Sequence, residues 1–182
     1  MFRFRPAILT GLVLLIPVLG CTTQTAPLAN TPATTTPAIQ FTEITTAGLD
    51  QAIREQQGKV VLIDVWFLSC DPCRERFPHL VAMSKELAPK GLVCFTLDVE
   101  KADLNRQEKV KAFLTSQEAT FPNFIFNDDK AATNRWREQN GAKYTPGVVI
   151  FDRKGKRIPV EDDTPLEQVE TLVRKLLTDP AA

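Results

Sequence analysis

The chain of 182 residues has one histidine, one tyrosine and two methionines, and four cysteines at positions 21, 70, 73 and 94. Four unevenly spaced cysteines do not make a disulfide-dense scaffold. Lysine plus arginine match aspartate plus glutamate at 22 each, and no basic stripe appears, so nucleic acid is not an expected partner. No glycine-rich nicotinamide or flavin motif occurs, and no bound cofactor is expected. No internal repeat is present. The longest apolar run, "AILTGLVLLIPVLG", covers about 14 residues, short for a membrane span.

That run follows "MFRFRP", which supplies Arg3 and Arg5, and it contains Pro17. A basic start and an apolar middle read as a secretory leader. It ends in "VLGC", with small Gly20 before Cys21. The ending resembles the bacterial lipoprotein signal, in which cleavage leaves an acylated cysteine. An ordinary secretory leader and an uncleaved anchor are the alternatives. The expected organisation is a leader over 1–20, a lipidated tether over 21–39 and a folded domain over 40–182. The tether sequence is rich in Thr, Ala and Pro with almost no charge, so it buries little apolar surface. Acyl chains on Cys21 would hold the chain to a lipid bilayer, each buried methylene contributing ~0.8 kcal/mol.

Within the domain, Leu49 and Ile53 lie four apart in a short helix that Gly58 is expected to end. "VVLIDVWFL" is nearly all apolar and predicts a central strand covered on both faces. After the cysteines, Phe77, Leu80, Val81, Ser84 and Leu87 form one helical stripe, interrupted by Pro78, which should kink the helix. A strand over "GLVCFTLDV", a helix carrying Val110, Phe113 and Leu114, a short strand at "FPNFIFND" and a helix stopped by Gly141 follow. "TPGVVIFDRKGKRIPV" predicts two strands around a tight turn. A terminal helix carries Leu166, Val169, Leu172, Val173, Leu176 and Leu177, with Thr164 as cap and Pro165 in its first position. Alternating strands and helices predict an α/β sandwich with a mixed sheet.

Cys70 and Cys73 stand at the junction of the central strand and the next helix. Free backbone N–H groups at a helix start stabilise a nearby anion, and a thiolate is the species that attacks disulfides. Cys70 is the candidate nucleophile. Cys73, one turn on, can resolve a mixed disulfide by attacking the Cys70 sulfur. Half a zinc site is one alternative, but its other half is missing. A purely structural staple is another, but so short a loop gains little from closure. Asp71, between the two, opposes the helix dipole's pull on the Cys70 thiolate. Asp64 lies inside the apolar strand, six residues before Cys70. Burial should raise its pKa unless it is paired, and a raised acid near the second thiol could take and return its proton. A strand-edge Asp bonded to backbone is the alternative.

"IDVWFLSCDPCRERFP" resembles the active-site segment of thioredoxin-fold proteins. The resemblance covers roughly 59–178 and implies a thioredoxin-like sandwich, a central mixed sheet flanked by helices. It makes Asp64 the family's buried acid, Trp66 its strand tryptophan and Pro78 its helix-kinking proline. "YTPGVVIFDRKGK" is similar to the segment with the family's cis-proline, which makes Thr145 and Pro146 the candidates for holding a substrate backbone, with Trp66 beside them. "CDPCRERFP" further resembles the "CxPCRxExP" of membrane-tethered TlpA/ResA-type thiol–disulfide oxidoreductases. That implies an extracytoplasmic enzyme, periplasmic or on the cell-surface side of a bacterial membrane. It would reduce disulfides of exported proteins, apocytochrome c among them, with electrons from a membrane thiol-transfer donor. Two departures stand out. Ser69 occupies the position of the family's usual Trp, and Arg76 stands where its frequent acid falls.

Cys94, mid-strand between Val93 and Phe95, reads as a buried inert thiol. His79 reads as a surface residue. A copper-delivery role would resemble a CxxxC branch with a late histidine, and no histidine follows position 79. A thiol peroxidase would show "PxxxTxxC", which is absent. A non-enzymatic tethered adaptor that binds peptide and keeps its disulfide for structure is the remaining alternative. Trp136 and Tyr144 are left open between core and rim.

Overall fold

The computed structural model describes residues 39–162 and 164–179. The expected leader, the acyl site Cys21 and the tether up to residue 38 lie outside the described residues. The elements are β1 (Phe41–Ile44), α1 (Thr46–Arg54), β2 (Val60–Trp66), α2 (Asp71–Leu87), β3 (Leu92–Asp98), α3 (Gln107–Ser116), β4 (Asn123–Phe126), α4 (Lys130–Gln139), β5 (Gly147–Phe151), β6 (Arg157–Ile158) and α5 (Leu166–Thr178). Short 3-10 turns, Ala88–Lys90 and Lys101–Arg106, precede β3 and α3.

All seven residues of β2 are buried, because helices cover both faces of the sheet at this strand. Side chains alternate along a strand. Val60 and Leu62 therefore pack with Leu80, Met83 and Leu87 of α2 and with Val169 and Val173 of α5. Val61, Ile63 and Val65 pack on the other side with Leu49 and Ile53 of α1 and Trp136 of α4. Asp64 shares the α2/α5 face with Val60 and Leu62. The sheet order is β1-β4-β3-β2-β5-β6. β1, β4, β3 and β2 run parallel, and β5 and β6 are antiparallel to their neighbours. This is the expected α/β sandwich with a mixed central sheet. Among the described residues no helix is long and apolar enough to cross a membrane.

Several local expectations need correction. β1 was not anticipated; its strand state comes from parallel pairing of Phe41–Ile44 with Asn123–Phe126. α1 ends at Arg54 rather than at Gly58. Gln56 closes a tight turn on the Ile53 carbonyl, and Gly58, at φ +84°, donates to Arg153 O at 2.8 Å in the turn before β6. Thr164 does not cap α5. Pro165 holds an extended ψ of 143° and is itself the N-cap, its carbonyl accepting from Gln168 and Val169. Helix α2 buries Met83 more deeply than the expected Ser84. Trp136 belongs to the core and Tyr144 is 65% exposed.

Candidate active site

Cys70 is the N-cap of α2, with extended backbone, and Cys73 lies in the first turn. Pro72 sits between them, where a missing N–H leaves no helix bond unmade. The two sulfurs are joined at 2.06 Å, so the structure is the oxidised form. Cys70 Sγ accepts the Cys73 N–H at 3.3 Å. The geometry expected to stabilise a thiolate is thus present: a helix-start amide aimed at the first sulfur. Cys73 is fully buried while Cys70 keeps a small exposed edge. An incoming thiol reaches Cys70 first. Asp71 is exposed and pairs with Arg74 at 3.4 Å, which shares its charge with solvent and a cation.

Asp64 is buried on β2 with its carboxyl raised, as the sequence predicts, but it is paired, and the alternative of an Asp bonded to backbone does not hold. It is neither bare nor bonded only to backbone. Arg76 Nη2 of α2 pairs with Asp64 Oδ1 and also donates to Gly147 O at 2.9 Å. Asp64 Oδ2 has no protein partner. Burial pushes the Asp64 carboxyl above the ordinary range, while the charge and hydrogen bond of Arg76 pull it back, and burial prevails. Arg76 is the site residue that sequence reasoning missed. The signal was available: position 76 follows buried Cys73 by three residues, so a helix turns it toward the same interior face, and a buried acid asks for a cation.

Arg76 also ties α2 to the Pro146 segment through Gly147. The Thr145–Pro146 bond is cis. Thr145 Oγ1 accepts from Arg137 Nη2 of α4 at 2.8 Å. Pro146, Arg76, Glu75, His79 and Leu166 line a cleft of about 360 Å³. Trp66 is placed differently from the expectation of a substrate contact. It is fully buried, packing on Phe77 (5.1 Å) and Phe113 (5.3 Å) beneath the cysteines, with no surface to offer a substrate. Pro78 lies inside α2, where it cannot donate to the Arg74 carbonyl. Ser69 is exposed at the lip of the loop before Cys70.

His79 is not a free surface residue. Its Nε2 lies 2.6 Å from Glu170 Oε2, linking α2 to α5, and Glu170 in turn bonds Arg174, which also grips Glu86. Cys94 is free and buried, and burial pushes its thiol up to about 12, an inert state consistent with the expectation. Among the described residues no cluster of three or more His, Cys, Asp or Glu side chains could hold a metal ion.

Residues 34–156 match the AhpC/TSA family. The chain is 31% identical over 118 residues to "Thioredoxin-like protein YneN" of Bacillus subtilis (strain 168), a match that spans 65% of this chain and 65% of that protein's length. It is 23% identical over 125 residues to "Thiol-disulfide oxidoreductase ResA" of Bacillus thuringiensis subsp. konkukian (strain 97-27), covering 68% and 67%. Among solved structures, the thioredoxin domain of a thiol-disulfide oxidoreductase from Bacteroides vulgatus superposes with a TM-score of 0.56 at 21% identity, over 69% of this chain and 84% of that one. The fold is thioredoxin-like. Together the Cys70–Cys73 pair and the sequence likenesses to YneN and ResA support a thiol–disulfide oxidoreductase activity.

Proposed function

The chain belongs to the AhpC/TSA family, and from that premise we propose that it is an extracytoplasmic thiol–disulfide oxidoreductase that reduces protein disulfides. The observation that carries the proposal is the Cys70–Cys73 pair at the head of α2, with the first sulfur accepting a helix-start N–H and the second buried behind it.

In the reduced enzyme the Cys70 thiolate attacks a substrate disulfide. A Cys70–substrate bond forms, the substrate S–S bond breaks, and one substrate sulfur leaves as a thiol. Cys73, deprotonated, then attacks Cys70 Sγ. The second substrate sulfur leaves, and the enzyme holds the Cys70–Cys73 disulfide seen here. The substrate gains two electrons and two protons, which the Cys70–Cys73 dithiol loses. Asp64 is assigned the proton from Cys73 on this step and its return when the disulfide is reduced again. A carboxyl raised by burial and checked by Arg76 is suited to take a proton and to return it. Pro146 and Thr145 are assigned to hold the substrate backbone. Leader processing at 1–20, acylation of Cys21, a tether over 21–39 and a catalytic domain over 40–182 complete the proposal. Electrons come from a membrane thiol-transfer donor, and exported proteins, apocytochrome c among them, are the substrates.

The test is insulin disulfide reduction by dithiothreitol, with wild type and Cys70→Ala. Acceleration by wild type that Cys70→Ala loses supports exchange. Equal rates would replace the proposal with a non-enzymatic adaptor. The direction is read from the Cys70–Cys73 potential against glutathione: a value near about −120 mV would mark an oxidant and overturn the reductant assignment.

A further inference from the structure

Two acids that the exchange steps do not use sit behind the loop that delivers Cys70. Asp98 ends β3 and Asp103 lies in the following 3-10 turn. Both are fully buried. Asp103 Oδ2 accepts the Leu68 N–H at 2.9 Å, two residues before the nucleophile. The same segment is pinned at its start, where Trp66 O accepts from Val99 N at 3.1 Å, and turns into the helix through Cys70 N–H to Phe67 O at 3.1 Å. Asp98 Oδ1 accepts from Glu100 N at 2.9 Å. Asp98 Oδ2 has no hydrogen-bond donor, whereas Asp103 Oδ1 lies against Arg106 Nη2 as an ion pair. Two carboxylates cannot satisfy each other, but a proton held on Asp98 Oδ2 removes the orphan charge and can be shared with the Asp103 carboxylate. Arg106 balances the charge that Asp103 keeps.

We propose that Asp98 and Asp103 share one proton and act as a positioning pair for Cys70, clamping the 67–69 loop at the mouth of the site. Neither touches the reacting sulfurs. Their role is to hold the Leu68 amide, and through it the entry to α2, in one place. The titration is consistent with this. Burial is the main force that pushes Asp98 up to about 9, with the Asp103 carboxyl adding to it and the Glu100 N–H opposing. The charged groups facing Asp98 are Glu100 and Asp103, with Arg106 beyond. At neutral pH the shared proton is in place. Above the Asp98 value it leaves, two buried carboxylates face each other, and the clamp loosens.

The proposal deepens the exchange reading, and only its rate measurement rests on that reading. Infrared difference spectra of the oxidised full-length chain are recorded between neutral pH and well above the Asp98 value of about 9. A protonated-carboxyl band should disappear in wild type and in Asp64→Asn, and be missing throughout when Asp98→Asn is combined with Asp64→Asn. Exchange rates are then measured over the same range, each as a ratio to wild type so that the thiol reductant's own ionisation cancels. Asp98→Asn, whose amide N–H replaces the shared proton, should match wild type near neutrality and surpass it in alkali. Asp103→Ala should lose about tenfold at neutral pH, the worth of a hydrogen bond to a charged acceptor. Asp103→Asn, whose amide oxygen can still accept from Leu68, should recover most of that loss and keeps the test decisive if the alanine variant does not fold. No alkaline loss of the band, its persistence in the combined Asp64→Asn and Asp98→Asn variant, or an unchanged rate in both Asp103 variants would overturn the pairing. If wild type itself shows no exchange, the functional reading fails while the infrared result still decides whether the proton is shared.

Discussion

Arg76→Met is the substitution whose cost follows most directly from the structure. Methionine keeps most of the stem's volume and removes the guanidinium. Two interactions vanish: the ion pair with buried Asp64 and the 2.9 Å hydrogen bond to Gly147 O. Leaving a buried carboxylate unpaired costs about 3–5 kcal/mol, and a lost hydrogen bond from a charged donor about 1.5–3 kcal/mol. The sum is an upper bound, because Asp64 can take up a proton and become neutral. Burial already raises this carboxyl with Arg76 present, so it rises further without it. The expected loss at neutral pH is therefore about 2–4 kcal/mol. The sign of the pH dependence follows. A carboxyl whose folded value lies above its unfolded value binds more protons in the folded state, so stability falls as pH rises between the two values, by about 1.4 kcal/mol per pH unit. In wild type that fall ends at the Asp64 value set by Arg76. In Arg76→Met it continues to higher pH, and the gap between the two proteins widens there. Contributions from Asp98 are common to both and cancel. Urea unfolding at a series of pH values, with m unchanged, measures the gap. A double-mutant cycle with Asp64→Asn isolates the pair, with an expected coupling of about 2 kcal/mol. A coupling under about 0.5 kcal/mol, or a gap independent of pH, would refute the assignment of Arg76 as the partner that sets Asp64.

Three further outcomes are expected. Cys73→Ser should accumulate a mixed disulfide between Cys70 and a protein substrate, visible on non-reducing gels, because the resolving sulfur is gone; prompt release would place resolution elsewhere. Cys94, with its thiol pushed up to about 12, should resist iodoacetamide in the folded, oxidised protein and react at the rate of unfolded chain after denaturation, as mass spectrometry would show. Glu170→Gln should cost about 1 kcal/mol in urea unfolding at neutral pH, since it weakens the bridge from His79 to Arg174 across α2 and α5. The His79 hydrogen bond, then Arg174, hold the Glu170 carboxyl below its ordinary value. Its stabilisation is present above the ordinary glutamate pKa and is lost as pH falls through the lowered one, so the variant should converge on wild type in acid.

What could be read from sequence depended on whether a residue's partner was local. β2 announces itself because helices on both faces leave seven apolar-flanked positions in a row, and the acid within them stands out for that reason. The cysteine pair is legible because a strand-to-helix junction and a one-turn spacing are local facts. β1 is not legible: Phe41–Ile44 is short and half-exposed, and only β4, more than seventy-five residues away, makes it a strand. Arg76 looks like one of several charges on an amphipathic helix until β2 is laid beside α2. Asp98 and Asp103 look like loop residues, and nothing short of the packed end of β3 shows that neither meets water. Trp66 was placed by resemblance at the substrate, but the Phe77 and Phe113 rings that enclose it come from two different helices.

A cation at position 76 has a physical consequence for the site as a whole. Where two acids share a buried site, like charge drives one of them strongly upward and ties proton transfer to a narrow pH range. Here the second group is a cation, held in place by the Gly147 carbonyl at the start of β5. It limits the rise of Asp64 and fastens α2 to the segment that follows Pro146 in a single contact set. A chain built this way has a carboxyl whose rise is checked, and a Pro146 loop whose position depends on the same guanidinium that sets the proton. Charge and geometry at this site are therefore not separable, and any change at position 76 must move both.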